Sequence, residues 1–184
     1  TASHVHQSNC TKIMTEAFRR NNDMATFAIH LFIDAWPSGW LKTIMDFKRN
    51  PKPAYFTYRN ALEPLMISFR TDRFTYYADE EVKLESYLSN DTNDVDTYDV
   101  VYEVTNEKGE LVYSEKTSVT SSPVETVYVA SPTFTAKEVK DRALFTVTAI
   151  LMKDGKVITY NREDIEVFER KNAVENEDVV WVTD

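Results

Sequence analysis

The spacing of apolar residues changes once along the chain, from a helical period to a strand period. Between residues 7 and 21 the apolar side chains recur at the spacing of one helix face, at Cys10, Ile13, Met14, Ala17 and Phe18. We call this set the apolar stripe and expect it, including Cys10, to face a core. Arg19 and Arg20 lie in the last predicted turn, where positive charge suits the helix dipole. The sequence therefore predicts an amphipathic helix that begins near Gln7 and ends near Asn21.

A nearly continuous apolar run follows, from Ala25 to Ile33. An unbroken run of this kind is typical of a parallel strand that is covered on both faces. The run ends at Asp34, and a turn containing Trp36 and Trp40 comes next. A second helix is predicted from Pro53, because proline is tolerated at the first helical position, and it stops at Pro64. Helix, buried strand, loop and helix is the order of a parallel α/β fold.

Beyond Pro64 the apolar residues alternate with polar ones. In one such run the alternating positions are Tyr98, Val100, Tyr102 and Val104. Residues 106–109 and 153–156 each contain a glycine and lie between two alternating runs, which predicts hairpin turns. Seven or eight short strands of this kind indicate an immunoglobulin-like β-sandwich without its disulfide. We therefore predict a mainly β fold, with a parallel α/β segment at residues 1–64, the sandwich at 65–172 and a tail or linker at 173–184.

The charge and cysteine content of the chain disfavour several classes of binding partner and site. Acidic residues outnumber basic ones by 30 to 21 in the 184-residue chain, giving a formal charge of −9 without a basic cluster. Such a surface disfavours nucleic acid and anionic membranes as partners and favours a neutral ligand. The single cysteine excludes an internal disulfide and a cysteine-based zinc site. The acidic loop at residues 91–96 lacks the glycine and glutamate of a calcium-binding loop, so we predict no metal and no cofactor.

Several motifs resemble the end of the catalytic barrel in family 2 glycoside hydrolases, the β-mannosidase and β-galactosidase group. They are Asp34-Ala35-Trp36-Pro37, Pro51-Lys52-Pro53-Ala54-Tyr55 and Leu62-Glu63-Pro64-Leu65. The stretch Ser89-Asn90-Asp91-Thr92, followed by a strand and the Gly109 hairpin, is similar to the immunoglobulin-like domain that trails that barrel. The resemblance implies that residues 1–64 are a partial (β/α) barrel segment. In that barrel, residues 7–21 correspond to the seventh helix, residues 25–33 to the eighth strand and residues 53–63 to the eighth helix.

The resemblance implies a fragment without activity of its own. Enzymes of this family retain configuration with two carboxylates about 5 to 5.5 Å apart. In the family both are glutamates on the fourth and seventh barrel strands, which would precede residue 1. A closed barrel needs about eight β/α units and this chain supplies about one and a half. The expected function is therefore the C-terminal part of a retaining β-glycosidase, with no catalytic residue in this chain and a carbohydrate as substrate of the intact enzyme.

Three residues are the candidates for substrate binding in that enzyme: Trp36, Asp34 and Trp40. Trp36 follows the C-terminal end of a barrel strand, where active sites of this fold are built, and its ring can stack on a sugar. The alternative is a tryptophan that packs the loop. Asp34 can bind a sugar hydroxyl or fix the loop of Trp36, as short acidic side chains do in turns. Trp40 can be a platform at the rim of the site or pack against the helix.

The sandwich also admits two other interpretations. It can be a non-catalytic carbohydrate-binding or adhesion module, which requires a row of exposed aromatic residues on one sheet face. Tyr98, Tyr102 and Tyr113 could supply that row, but their charged neighbours place them more naturally in the core. We favour a structural role, in which the sandwich supports the barrel. An isolated strand from Ala25 to Ile33 would leave unpaired backbone groups, so we also expect self-association or local disorder there.

Overall fold

The computed structural model describes residues 1–37, 42–137 and 139–171. In these ranges two helices, α1 (Ala2–Arg19) and α2 (Pro53–Ala61), precede ten strands. The strands are β1 (Leu65–Arg70), β2 (Thr75–Tyr77), β3 (Glu81–Lys83), β4 (Glu85–Asn90), β5 (Thr97–Asn106), β6 (Leu111–Thr120), β7 (Glu125–Ala130), β8 (Thr133–Thr135), β9 (Arg142–Lys153) and β10 (Lys156–Phe168). The mainly β prediction is confirmed. Trp40 and the predicted tail at 173–184 lie outside the described residues.

Two sheets form the sandwich. One has three strands in the order β1-β4-β7, and the other has five in the order β2-β10-β9-β5-β6. β10 pairs with β2 in parallel and with β9 antiparallel. A short pair, β3 and β8, stands beside them. Side chains from both larger sheets belong to one buried cluster, so the core lies between the sheets, as in an immunoglobulin-like sandwich.

The alternation predicted for β5 gives one half of this core. Tyr98, Val100, Tyr102 and Val104 are all buried. The Tyr102 hydroxyl is hydrogen-bonded to the Ser86 hydroxyl on β4 in the opposite sheet. Burial raises the pKa of Tyr102 to about 12, so the phenol stays neutral inside the core. The hydrogen bond therefore satisfies a polar group that would otherwise be costly to bury.

Both predicted hairpins are present, and each depends on a glycine. Gly109 has φ +77° and Gly155 has φ +74°, in the left-handed region that side chains disfavour. In the first hairpin the Gly109 amide donates to the carbonyl of Asn106 at 2.9 Å. The turns fix the register of β5 with β6 and of β9 with β10.

The strand predicted from Ala25 to Ile33 is the main difference between expectation and structure. Residues 24–37, all of them described, contain no strand, and Ile33 makes only an isolated bridge with Met45. Phe27 instead packs on Phe18 of α1, with ring centroids 5.3 Å apart. A strand needs a neighbour to pair its backbone groups, and none of the described strands lies beside this run.

The face that α1 buries is also different from the predicted one. The buried residues of α1 are Thr15, Glu16 and Arg19, whereas Met14 is 56% exposed. Cys10 is exposed too, so its expected place in the core is wrong. The polar face turns inward because strand carbonyls and buried polar side chains of the sandwich bind it, and the apolar stripe consequently points away from the sandwich.

Candidate functional site

Asp34 is held by two side chains from the far side of its loop. Its Oδ2 accepts a hydrogen bond from Thr43 Oγ1 at 2.8 Å and lies 3.5 Å from Lys52 Nζ. Lys52 Nζ donates in turn to Thr43 Oγ1 at 2.7 Å. Thr43 is fully buried and Asp34 is half-buried. The three side chains form a closed triangle in which the lysine charge balances the carboxylate.

Backbone hydrogen bonds tie the same loop to its surroundings. The amide of Asp34 donates to the carbonyl of Met45 at 3.2 Å, and the amide of Met45 donates to Phe32 at 3.0 Å. From α1, Gln7 Nε2 donates to the carbonyl of Thr43 at 2.9 Å. Asp34 is therefore fixed from both of its flanks and from the first helix. This geometry fits the loop-fixing alternative for Asp34.

Trp36 follows Asp34 by two residues and lies on the surface, 61% exposed. Most of this residue is accessible to solvent in the isolated chain. Trp40, the third predicted residue, lies outside the described residues. The structure thus places Asp34 at the base of the loop and Trp36 at its outer surface.

An apolar cleft of about 770 Å³ lies beside this loop. Members of the apolar stripe line one wall, among them Cys10, Met14 and Phe18, and the other wall carries Phe27 and Ile29. The sequence did not predict this cleft, because segment 25–33 has the composition of a strand and not of a cleft wall. The signal that could have found it is the apolar stripe itself, which needs a covering surface whatever its partner is.

Arg19 joins α1 to α2 and to the sandwich. Its Nη1 donates to the carbonyl of Ala61 at 2.8 Å and to that of Glu63 at 2.7 Å. Its Nη2 lies 3.0 Å from Asp91 Oδ2, just after β4. One buried guanidinium therefore supplies donors to the last carbonyl of α2, which has no partner inside the helix, and to the carbonyl of Glu63 just beyond it.

The end of α1 also binds both edges of the three-stranded sheet. At β1, Arg20 Nη1 donates to the carbonyl of Phe69 at 2.9 Å. At β7, the amide side chain of Asn22 pairs with the backbone of Thr126, donating to its carbonyl at 3.0 Å and accepting from its N–H at 2.8 Å. Asn22 thereby occupies the edge groups that a further strand would use.

Buried charges connect the middle of α1 with β10. Lys12 Nζ contacts Glu163 and lies 3.4 Å from Glu16 Oε1. Glu16 Oε1 also accepts from Asn161 Nδ2 at 2.8 Å, and Asn161 Nδ2 donates to the carbonyl of Ile67 on β1. Burial raises the pKa of Glu163, and the charge of Lys12 opposes that rise.

Other residues that the sequence singled out have structural roles. Asn90, in a glycosylation motif, is buried, and its Nδ2 donates to the carbonyls of Asp94 and Ser122 at 2.8 and 3.0 Å. Tyr98 and Tyr102 lie in the core and Tyr113 packs against it, so these three form no exposed row. Among the described residues we find no group of three acidic, histidine or cysteine side chains that could hold a metal, and no helix long and apolar enough to cross a membrane.

Two helices docked on an immunoglobulin-like sandwich give the chain the fold of the C-terminal part of a family 2 glycoside hydrolase. The β-D-mannosidase from Dictyoglomus thermophilum aligns with 86% of this chain, at a TM-score of 0.66 and 19% identity. The exo-chitosanase from Amycolatopsis orientalis aligns with 88% of it, at 0.67 and 16%. The expected resemblance is thus confirmed as one of fold, and the chain covers 18% of each of these proteins. No family model and no curated protein matches the sequence.

Proposed function

We propose that this chain is the C-terminal part of a retaining β-glycosidase. In this proposal residues 1–64 complete the catalytic barrel, and the sandwich supports them from the outside. The observation that carries the proposal is the orientation of α1, which turns its polar face to the sandwich and leaves its apolar stripe along an open cleft. An apolar surface in that position requires a cover.

The strands of a barrel would provide that cover. In a (β/α)₈ barrel the helices form a ring around the strands and pack their apolar faces against them. Additional exposed apolar side chains lie on the same N-terminal segment, namely Phe32, Ile33, Phe47 and Phe56. The two similar solved structures are several times longer than this chain, which leaves room for such a barrel in a longer protein.

The three candidate residues then take distinct roles. In the intact barrel, segment 25–33 pairs with the neighbouring strands as the eighth strand, and Trp36 just after its end stacks on the sugar. Asp34 positions the loop of Trp36 through Thr43 and Lys52, and Trp40 contributes a second aromatic contact near the rim. The catalytic glutamates come from strands outside this chain.

Activity measurements test this proposal. The purified chain should not turn over an aryl β-mannoside, β-galactoside or β-glucuronide, because both catalytic carboxylates are absent. In a protein that also contains the upstream strands, Trp36→Ala should lower kcat/KM for its substrate by about 100-fold, an effect of about 2.7 kcal/mol. The matched control is Tyr77→Ala, which removes an exposed aromatic ring from β2 of the sandwich and should leave kcat/KM unchanged. Saturable turnover by the chain alone, or equal effects of the two variants, would overturn the proposal.

The same open cleft supports self-association of the isolated chain. Segment 25–33 lines it with Phe27 and Ile29, and a second copy can bury these side chains when no barrel does. Sedimentation at several concentrations should then show a dimer that Phe27→Glu weakens. A strict monomer with slow amide exchange in this segment would contradict this proposal.

A further inference from the structure

The outer face of the three-stranded sheet is covered by α1 at one end and open at the other. At the covered end Met66 and Ser89 are buried beneath the helix. At the open end the same face carries Arg70 on β1, Glu85 and Tyr87 on β4, and Tyr128 on β7. We call these last four residues the tyrosine face.

The two tyrosines of this face are arranged edge to face. Their ring centroids are 5.7 Å apart and the ring planes make an angle of 74°. Tyr128 is 55% exposed, so one side of its ring is open to solvent. Both hydroxyls are anchored, that of Tyr87 to Glu85 Oε2 and that of Tyr128 to Ser131 Oγ, each at 2.8 Å. The rings are therefore held in place before any ligand arrives, which lowers the entropic cost of binding.

A polar pocket of about 250 Å³ continues from the tyrosine face, and Arg70 and Glu85 belong to both. Its charged lining is balanced, with three cations and three anions: Arg70, Arg73, Lys83, Asp72, Glu81 and Glu85. Arg73 is fixed over the ring of Tyr76 at 4.2 Å. Arg70 Nη1 lies 3.5 Å from Glu85 Oε2, and both side chains keep contact with solvent.

This combination selects one class of ligand. An open aromatic ring offers a surface for the C–H face of a sugar, and neighbouring charged groups offer donors and acceptors for its hydroxyls. Equal numbers of cations and anions give the pocket no preference for a charged ligand. Its small volume suits a single sugar unit rather than an extended peptide. The geometry points to a carbohydrate-binding site on the sandwich, in which Tyr128 stacks on one neutral pyranoside and the Arg70–Glu85 pair binds its hydroxyls.

This site is independent of the proposed glycosidase function, because every residue in it belongs to the sandwich. It is separate from Trp36 as well, since the two lie on different units of the fold. It is a specific version of the carbohydrate-binding alternative. The aromatic residues are Tyr87 and Tyr128 instead of Tyr98, Tyr102 and Tyr113, which the sequence suggested.

The test is a titration of the full chain with neutral glycosides, followed by ¹H–¹⁵N NMR. The probes are the methyl β-glycosides of mannose, glucose and galactose, with methyl β-glucuronide as a charged comparison. At least one neutral glycoside should shift the amides of β4 and β7 near Tyr87 and Tyr128 in a saturable way. Tyr128→Ala should weaken this binding about tenfold, from the loss of one aromatic contact. Tyr128→Phe keeps the ring and should stay within about threefold of wild type.

Tyr160→Ala is the matched control, since Tyr160 is 57% exposed and lies on β10 of the other sheet. It should leave the binding unchanged, and its NMR spectrum should show a folded chain, as should that of Tyr128→Ala. The proposal is overturned if none of the neutral glycosides produces saturable shifts. It is overturned equally if Tyr128→Ala binds as well as wild type, or if the glucuronide binds more tightly than every neutral glycoside. Shifts confined to residues around Trp36 would assign the binding to the proposed substrate loop and reject a site on the sandwich.

Discussion

Replacing Arg19 by methionine tests how strongly the helices are joined to the sandwich. Arg19 is 8% exposed and gives two short hydrogen bonds to the carbonyls of Ala61 and Glu63. Methionine keeps an apolar stem but leaves both carbonyls without this donor. A hydrogen bond to a charged group contributes about 1.5–3 kcal/mol, and removing the arginine leaves two carbonyls without this donor. We expect the free energy of unfolding to fall by about 3–5 kcal/mol, within the range that the two bonds give together.

Urea unfolding followed by circular dichroism measures this loss, with the slope of the transition as a check on the native state. In a thermal scan the same change should lower Tm by roughly 6–20 °C for a chain of this size. Two variants separate the contributions. Asp91→Asn removes the partner that is 59% exposed and should cost at most about 1 kcal/mol. Arg170→Met removes an exposed arginine that pairs with Glu80 and should stay within about 0.5 kcal/mol of wild type.

A different result would refute the reasoning. If Arg19→Met stays within about 1 kcal/mol of wild type at an unchanged slope, the buried contacts of Arg19 do not stabilise the chain in solution. If the helices unfold before the sandwich, two transitions appear and only the first should shift. A shift of the second transition alone would place the effect in the sandwich core, where Arg19 makes no contribution in this structure.

Three further predictions concern the sandwich and its contacts. Truncation to residues 65–184 should retain most of the thermal transition by calorimetry, because the buried cluster lies within that range, and a truncated chain without a cooperative transition would contradict this. Burial raises the pKa of Glu163 above 4.5 in the folded chain. The contribution of protonated Glu163 to stability is therefore present below pH 4.5 and is lost as the pH rises through the raised pKa. Glu163→Gln should therefore gain stability relative to wild type between acid and neutral pH, measured as urea midpoints, despite the lost contact with Lys12; a constant difference would refute it. Tyr102→Phe should cost about 1 kcal/mol of unfolding free energy in urea, since the hydrogen bond to Ser86 is removed from the core, and no loss would contradict the bond.

The sandwich could be predicted because the alternation of apolar and polar residues along its strands indicates which side chains are buried. Between Tyr98 and Val104 every second residue is apolar, and Asp99 and Glu103 on the other side indicate which side faces the core. β1 was not predicted, because Leu65–Arg70 shows no clear alternation. The outer face of this strand, which would otherwise be polar, is buried by α1. The period of two disappears wherever a strand is covered on both sides.

The N-terminal segment could be predicted only in part. The start of α2 at Pro53 follows from local sequence, because proline suits the first turn of a helix. The buried face of α1 depends instead on Asn161 and Thr126, more than 100 residues away, and no local pattern reports such partners. Segment 25–33 has the composition of a buried strand, but composition does not supply the neighbouring strands that a sheet requires. For the candidate site, the sequence pattern proposed Asp34, Trp36 and Trp40, whereas the contact of Lys52 with Asp34 is visible only in the structure.

The contacts of α1 set an order of events during synthesis. The ribosome makes α1 before the sandwich. Thr126 comes 104 residues after Asn22, which follows α1, and Glu163 comes 151 residues after Lys12. Contacts at such separations form late, because a long loop must close before they can exist. Until β10 has left the ribosome, the polar face of α1 lacks Asn161 and Glu163, although Phe27, Ala61 and Phe69 are already present. The docking of α1 is therefore complete only after β10 is made, and until then the contacts of its polar face with the sandwich are only partly formed.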